Sequence, residues 1–277
     1  MIELSRNITF GQFINNGSAL TRMDQRAKLL CVTFLLICVS YISSFAAFGF
    51  CLLLCIVIQY MSRLSVSYVL RSYRTFLGFL AFIYVMLIVF YYAPPGQHQT
   101  IYWHWWLFTV SREGISSSTV AMIRVLFLYY FVSMLMFTTS LVDMTDGLGA
   151  LLSPLERIGL PVNAFIMVLV IGLKFVPIFL GEVERLIKAQ SARGVRFDQG
   201  NLIQRWMKLT PLFVPLFVSG FKRAQALSTA MEARCYGVRP GWKRSKRRAL
   251  HFARFDAVAL IVTVVGCALM VVIGVLW

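Results

Sequence analysis

Long uncharged runs dominate this chain, separated by short polar and basic stretches. Leu29 to Met61 carries no charged residue. A membrane helix needs about 20 apolar residues, so this run is too long for one ordinary span and just long enough for two short ones. Ser43-Ser44 marks the predicted turn between them. A third predicted span runs from about Phe76 to Tyr92 and ends at Ala93-Pro94-Pro95-Gly96, which cannot continue a helix. A fourth covers about Thr119 to Leu141, with Arg124 near one end and long enough to snorkel to the interface. A last one covers about Ala257 to Trp277. The pattern predicts an all-α polytopic membrane protein with about five transmembrane helices.

Between the fourth and last spans it predicts two further long helices. The first starts after Gly159-Leu160 with Pro161, a residue favoured in the first helical turn, and stops at Gly194 just past Arg193. The second runs from about Leu202 to Tyr236 and stops at Gly237, with Pro211 and Pro215 expected to bend or break its first half. Val162 to Leu180 is apolar enough to span, although it contains Lys174 and Pro177.

Charge decides how that stretch is read. The net charge is +16, and 18 of the 27 Lys and Arg residues lie within 143–254. Positive charge accumulates in cytoplasmic loops. Five spans with the N-terminus inside put every basic loop in the cytoplasm, including Arg63, Arg71 and Arg74. The loop after the third span has only Arg112, with Trp103, His104, Trp105 and Trp106 suited to an interfacial aromatic belt. Counting 162–180 as a span would expel the most basic part of the chain. It is therefore read as lying at or under the membrane. The predicted organisation is a four-span region 1–142, a cytoplasmic region 143–254 and a C-terminal transmembrane helix 255–277. Met1–Lys28 lacks the apolar core of a removable signal peptide. The run Lys243-Arg244-Ser245-Lys246-Arg247-Arg248 precedes the last span, where such clusters fix orientation and meet anionic lipid. With no basic soluble domain in view, the charge does not indicate nucleic acid.

Candidate chemistry is sparse. Five of the six cysteines sit in apolar runs, where they read as small hydrophobes, and Cys51 and Cys55 read as lipid-facing or core packing. His98, His104 and His251 are scattered, so no catalytic, metal or cofactor site is predicted. There is no phosphate-binding loop, so the chain is not itself an ATPase. No carboxylate lies well inside a span, which argues against an ion-coupled carrier working alone; Asp143, Asp146 and Asp256 stand at edges.

One pattern remains. Ala189-Gln190-Ser191-Ala192-Arg193-Gly194-Val195-Arg196 resembles Ala230-Met231-Glu232-Ala233-Arg234-Cys235-Tyr236-Gly237-Val238-Arg239. Upstream, Pro177-Ile178-Phe179-Leu180 echoes Pro215-Leu216-Phe217-Val218. A cation in the last turn and a terminating Gly are ordinary helix capping. Capping does not require paired alanines before each arginine. Alanines three apart share a face and admit a close neighbour, and an arginine at a helix tip can fork into carboxylates or carbonyls. Two such tips predict docking into two similar pockets, as a pair of related subunits would supply.

These residues resemble the transmembrane T component of energy-coupling factor transporters, the EcfT/CbiQ-type family. The Ala-Arg signatures at 192–194 and 233–235 carry the likeness, with Cys235 where Gly is usual. Ile8-Thr9-Phe10-Gly11-Gln12, Arg22-Met23-Asp24-Gln25-Arg26-Ala27-Lys28-Leu29, and Leu152-Ser153-Pro154-Leu155 with Gly159-Leu160-Pro161 extend it over nearly the whole chain. The resemblance implies a coupling subunit between two ATP-binding cassette ATPases and a substrate-binding S component, taking up vitamins or transition-metal ions across a bacterial or archaeal cell membrane. It implies that Arg193 and Arg234 each anchor one ATPase, beside Ala192, Gly194, Ala233 and Gly237. The apolar faces around Val162–Leu180 and Leu212–Phe221 would support the S component. A conventional ABC permease is the nearest alternative. Glu232-Ala233-Arg234 partly echoes its Glu-Ala-Ala docking loop, but the match fails downstream.

Overall fold

The uncharged run folds as two helices, and the turn falls at Ser43-Ser44 as expected. The computed structural model describes residues 17–90, 101–105, 108–195, 202–236 and 252–276. Helix α1 (Ala19–Arg22) is followed by α2 (Gln25–Tyr41), α3 (Phe45–Ser62) and α4 (Val66–Val89). Strands β1 (Ile101–Trp105) and β2 (Phe108–Ser111) pair antiparallel. Helices α5 (Arg112–Thr138) and α6 (Leu141–Leu152), a 3₁₀ turn (Ser153–Ile158), α7 (Val162–Ala192), α8 (Leu202–Ala233) and α9 (Arg254–Leu276) complete the order. Apart from the small hairpin, the described residues are all-α. Trp106 of the expected aromatic belt and the Lys/Arg run 243–248 lie outside the described residues.

Among the described residues, α3, α5, α7 and α9 are long and apolar enough to cross a membrane, and α4 makes a fifth if its two parts are one span. The expected third span started at Phe76. The helix starts at Val66 instead and bends by 55° between Val66–Arg74 and Phe76–Val89. Its first turns carry Arg71 and Arg74, which is why hydropathy alone placed the start later. The prolines of α7 and α8 sit inside continuous helices: Pro211 and Pro215 do not break α8.

The described residues form two compact units. The first holds 17–155 and 252–276. Its core packs Leu35, Val39, Cys51, Cys55, Phe131 and Met270. Cys51 and Cys55 are thus core residues and not lipid-facing, and all six cysteines are free thiols. Phe48 stacks on Phe127 with ring centroids 5.9 Å apart. Arg124 turns to the end of α2. Its Nη2 donates to the Ile42 carbonyl at 2.8 Å, satisfying a carbonyl at the α2 C-terminus.

One end of this unit is tied by buried polar groups. Asp256 is 2% exposed. Its Oδ2 accepts from the Ala253 N–H (2.8 Å) and caps α9, while its Oδ1 accepts from the Asp24 N–H (3.0 Å). Asp24 caps α2 through the Arg26 N–H. The Lys28 ammonium, also buried, donates to the Thr138 carbonyl (3.0 Å) and to Thr139 Oγ1 (3.3 Å) at the end of α5. Asp256 fastens α9 to the start of α2 here, and Lys28 fastens α2 to the end of α5.

The second unit holds 156–236, with α7 and α8. Gly159 takes φ +92°, and the Glu156 Oε1 accepts from the Asn163 N–H in the first turn of α7 at 3.1 Å. The carboxylate at this N-terminus suits the helix dipole.

Candidate coupling site

The site is built from the ends of α7 and α8 and the place where the helices meet. α7 ends at Ala192. The Val195 N–H donates to the Gln190 carbonyl (3.1 Å) and the Gly194 N–H to the Ser191 carbonyl (3.0 Å). These are the two bonds of a Schellman cap, with Gly194 as its left-handed residue at φ +92°.

α8 ends at Ala233 in the same way. The Tyr236 N–H donates to the Met231 carbonyl (2.9 Å) and the Cys235 N–H to the Glu232 carbonyl (2.8 Å). Cys235 takes the left-handed position at φ +58°. Both Schellman bonds of the first cap recur 41 residues later. This corrects the expected helix end. The Gly-Val-Arg echo pointed to Gly237 as the terminator, but Cys235 occupies that place and the helix stops three residues before Tyr236. Gly237 lies outside the described residues.

The caps put Arg193 and Arg234 at equivalent positions, each the last residue before the left-handed turn. Both are exposed, as are Ala192, Gly194 and Ala233. Each guanidinium therefore stands at the negative end of a helix dipole, beside small side chains that admit a close partner.

The helices meet upstream of the tips. A side chain at Gly220 would lie 3.2 Å from Phe179 Cζ, so even a methyl group there makes the ring edge give way. Arg223 Nη2 donates to Glu182 Oε2 at 3.2 Å, and Ser219 Oγ to Glu182 Oε1 at 3.4 Å. Arg185 on Glu182's own helix stands 4.0 Å away. With Arg223 42% exposed, this ion pair contributes at most about 1 kcal/mol, so it fixes register more than stability. Glu182 and Arg223 are themselves 41 residues apart. Arg193 follows Glu182 by eleven residues, and Arg234 follows Arg223 by eleven. Each tip is therefore about 16 Å along its helix from a common pivot. Nothing in the sequence reading singled out Gly220, Glu182 or Arg223; the signal was an isolated glycine in an aromatic-rich helix face.

The family model described as cobalt transport protein, CbiQ, matches residues 16–243. The chain belongs to this family. Within it, the chain is 35% identical to the energy-coupling factor transporter transmembrane protein EcfT of Ruminiclostridium cellulolyticum, over 94% of each chain. It is 35% identical to the EcfT of Brevibacillus brevis over 97% of this chain and 98% of that one. It is 37% identical to the EcfT of Heliobacterium modesticaldum over 88% and 89%. The chain is an energy-coupling factor T component and a multi-pass membrane protein. The paired arginine caps lie inside the matched region.

Proposed function

We propose that this T component couples two ATP-binding cassette ATPases to a membrane S component, with Arg193 docking one ATPase and Arg234 the other. The observation that carries this reading is the duplicated cap: the same backbone turn and the same Ala-Arg pair, each eleven residues from one pivot. Ala192 and Ala233 pack against the ATPases, with Gly194 and Gly237 beside them. ATP-driven closure of the ATPases moves both tips, and the pivot passes that motion to the apolar faces of α7 and α8. Phe213, Phe217 and Phe221 on α8 are more than half exposed and offer such a face for the S component. The cargo is a vitamin or a transition-metal ion chosen by the S component.

In this reading the N-terminus and 143–254 are cytoplasmic, and α7 underlies the membrane despite being long and apolar enough to cross it. The positive-inside tendency supports that choice. A reporter fused at residue 200 reads the topology, and an extracellular signal there overturns it. The docking role is tested by reversing both charges, Arg193→Glu with Arg234→Glu. The expected result is loss of ATPase co-purification and of uptake. Retention of both refutes it.

A further inference from the structure

The start of α4 is an amphipathic segment set at an angle to the rest of its helix. Between Val66–Arg74 and Phe76–Val89 the axis turns by 55°. One side of the first part is anchored. Val69 is buried and packs with Leu64, Met134 and Phe137. Ser72 Oγ shares a hydrogen bond with Tyr129 Oη at 2.7 Å, and Tyr73 Oη donates to the Leu126 carbonyl at 2.9 Å. Tyr68 meets Phe137 edge to face, with ring centroids 6.0 Å apart. These contacts fix the rotation of the segment against α5. The free side is therefore fixed too: Ser67, Leu70, Arg71 and Arg74 recur at helical spacing and are all exposed.

That side bounds an open hollow of about 510 Å³, lined by Ser65, Ser67, Tyr68, Leu70, Arg71 and Arg74. Its chemistry is one-sided. Two guanidiniums, two serine hydroxyls and a phenol line it, and no carboxylate does. Among the described residues neither arginine is paired with an acidic side chain. The Ser65 hydroxyl precedes the helix without capping it. Guanidiniums backed by hydroxyl donors match the oxygens of a phosphate.

Depth decides between a free phosphate and a lipid. Arg74 precedes Leu77 by three residues, about 5 Å of helix. Leu77, Phe79 and Phe82 begin the exposed apolar surface of the membrane half of α4. The guanidiniums thus stand at the membrane surface. Val66 and Leu70, 58% and 61% exposed, lie beside them. A free phosphate uses the charges and leaves these side chains in water. A phospholipid uses both, since its phosphate and its acyl chains lie at adjoining depths.

We propose that Arg71 and Arg74 hold the phosphate of an anionic phospholipid, with Ser65 and Ser67 as further donors and Leu70 against the first acyl carbons. The bound lipid pins the angled start of α4 to the membrane surface. Two unpaired cations favour a net-negative lipid over a zwitterionic one, whose own ammonium they repel.

The test places a photoreactive amino acid at position 70 of the full-length chain. The protein, with whatever subunits co-purify, is reconstituted in vesicles of equal phosphatidylglycerol and phosphatidylcholine. Irradiation is expected to join position 70 to phosphatidylglycerol at about tenfold the yield for phosphatidylcholine. Arg71→Gln with Arg74→Gln should bring the two yields together, with elution unchanged. Arg112→Gln with Arg157→Gln removes as much charge elsewhere and should leave the preference intact. Excess inorganic phosphate at constant ionic strength should not displace the lipid. Equal labelling in the otherwise wild-type chain overturns the proposal, and that result needs no further variant to fold. Loss of labelling in excess phosphate, which makes the ligand a free anion, overturns it as well. So do capture of a protein segment at position 70, a preference that survives removal of Arg71 and Arg74, and a preference lost with Arg112 and Arg157.

Discussion

Substituting Gly220 tests whether the meeting point of α7 and α8 is a pivot. A methyl group there would sit 3.2 and 3.3 Å from Phe179 Cζ and Cε1, against an optimum of about 3.5–4.0 Å for two carbons. Alanine therefore needs a shift of a few tenths of an ångström, which the far edge of a phenyl ring can supply. It also gains about 1 kcal/mol of helix propensity over glycine. Gly220→Ala should be near neutral in stability and uptake. Leucine has the same propensity advantage but places branched carbons where the ring lies. Overpacking of this kind costs about 1–3 kcal/mol or forces the helices apart. With arms of about 16 Å, a change of 5° in the crossing moves each tip by about 1.4 Å. Gly220→Leu should therefore lower transport-coupled ATPase activity in reconstituted vesicles at least about tenfold, while both ATPases still co-purify. Phe179→Ala in the same chain returns the room and should restore most of the loss. The measurement is a double-mutant cycle on uptake rate. Full activity in Gly220→Leu, or a loss unrelieved by Phe179→Ala, would refute the pivot.

The described geometry sets the outcome of substitutions at four other positions. Gly147→Ala on α6 would put a carbon 2.9 Å from Gln25 Cβ and 3.2 Å from its carbonyl carbon. Backbone cannot yield as a ring edge can, so a loss of about 1–3 kcal/mol is expected in detergent melting. Asp256→Ala removes both the α9 cap and the link to Asp24, and should cost about 3 kcal/mol in the same melts, with Asp256→Asn milder. Cys235→Gly relieves a non-glycine residue at φ +58° and should raise hydrogen-exchange protection of the α8 end by about 1 kcal/mol. The reverse change, Gly194→Cys, meets φ +92° and should lower protection at the α7 end by more.

The division of the 33-residue charge-free run was legible, because two serines near its middle break it; of its two helices α3 is long and apolar enough to span, whereas the 17-residue α2 is not among the helices that are. The arginine tips were legible as a repeat. The end of α8 was not. Sequence pointed to Gly237 because a left-handed residue is usually glycine, whereas the cap is set by which carbonyls need donors, and Cys235 accepts the strain. The partner of Arg124 was not legible, because length and charge say how far a side chain reaches, not which carbonyl awaits it. The Glu182–Arg223 pair could not be read at all. Its members are ordinary charges on two helices, and only the angle of approach brings them together.

The duplicated cap has a consequence for assembly order. The two tips share a backbone but not a charge: Gln190 and Ser191 on one correspond to Met231 and Glu232 on the other. Glu232 is exposed, and its carboxylate accepts from a neighbouring hydroxyl, Ser228 Oγ, at 3.1 Å. A pair of identical partners would thus meet seats that fit alike and attract unequally. The second seat is one negative charge poorer for an acidic groove and richer for a basic one. Lys188 near the first tip likewise corresponds to Thr229 near the second, so the two seats differ in charge by two positions and two distinct partners could be sorted by that difference without any second recognition motif.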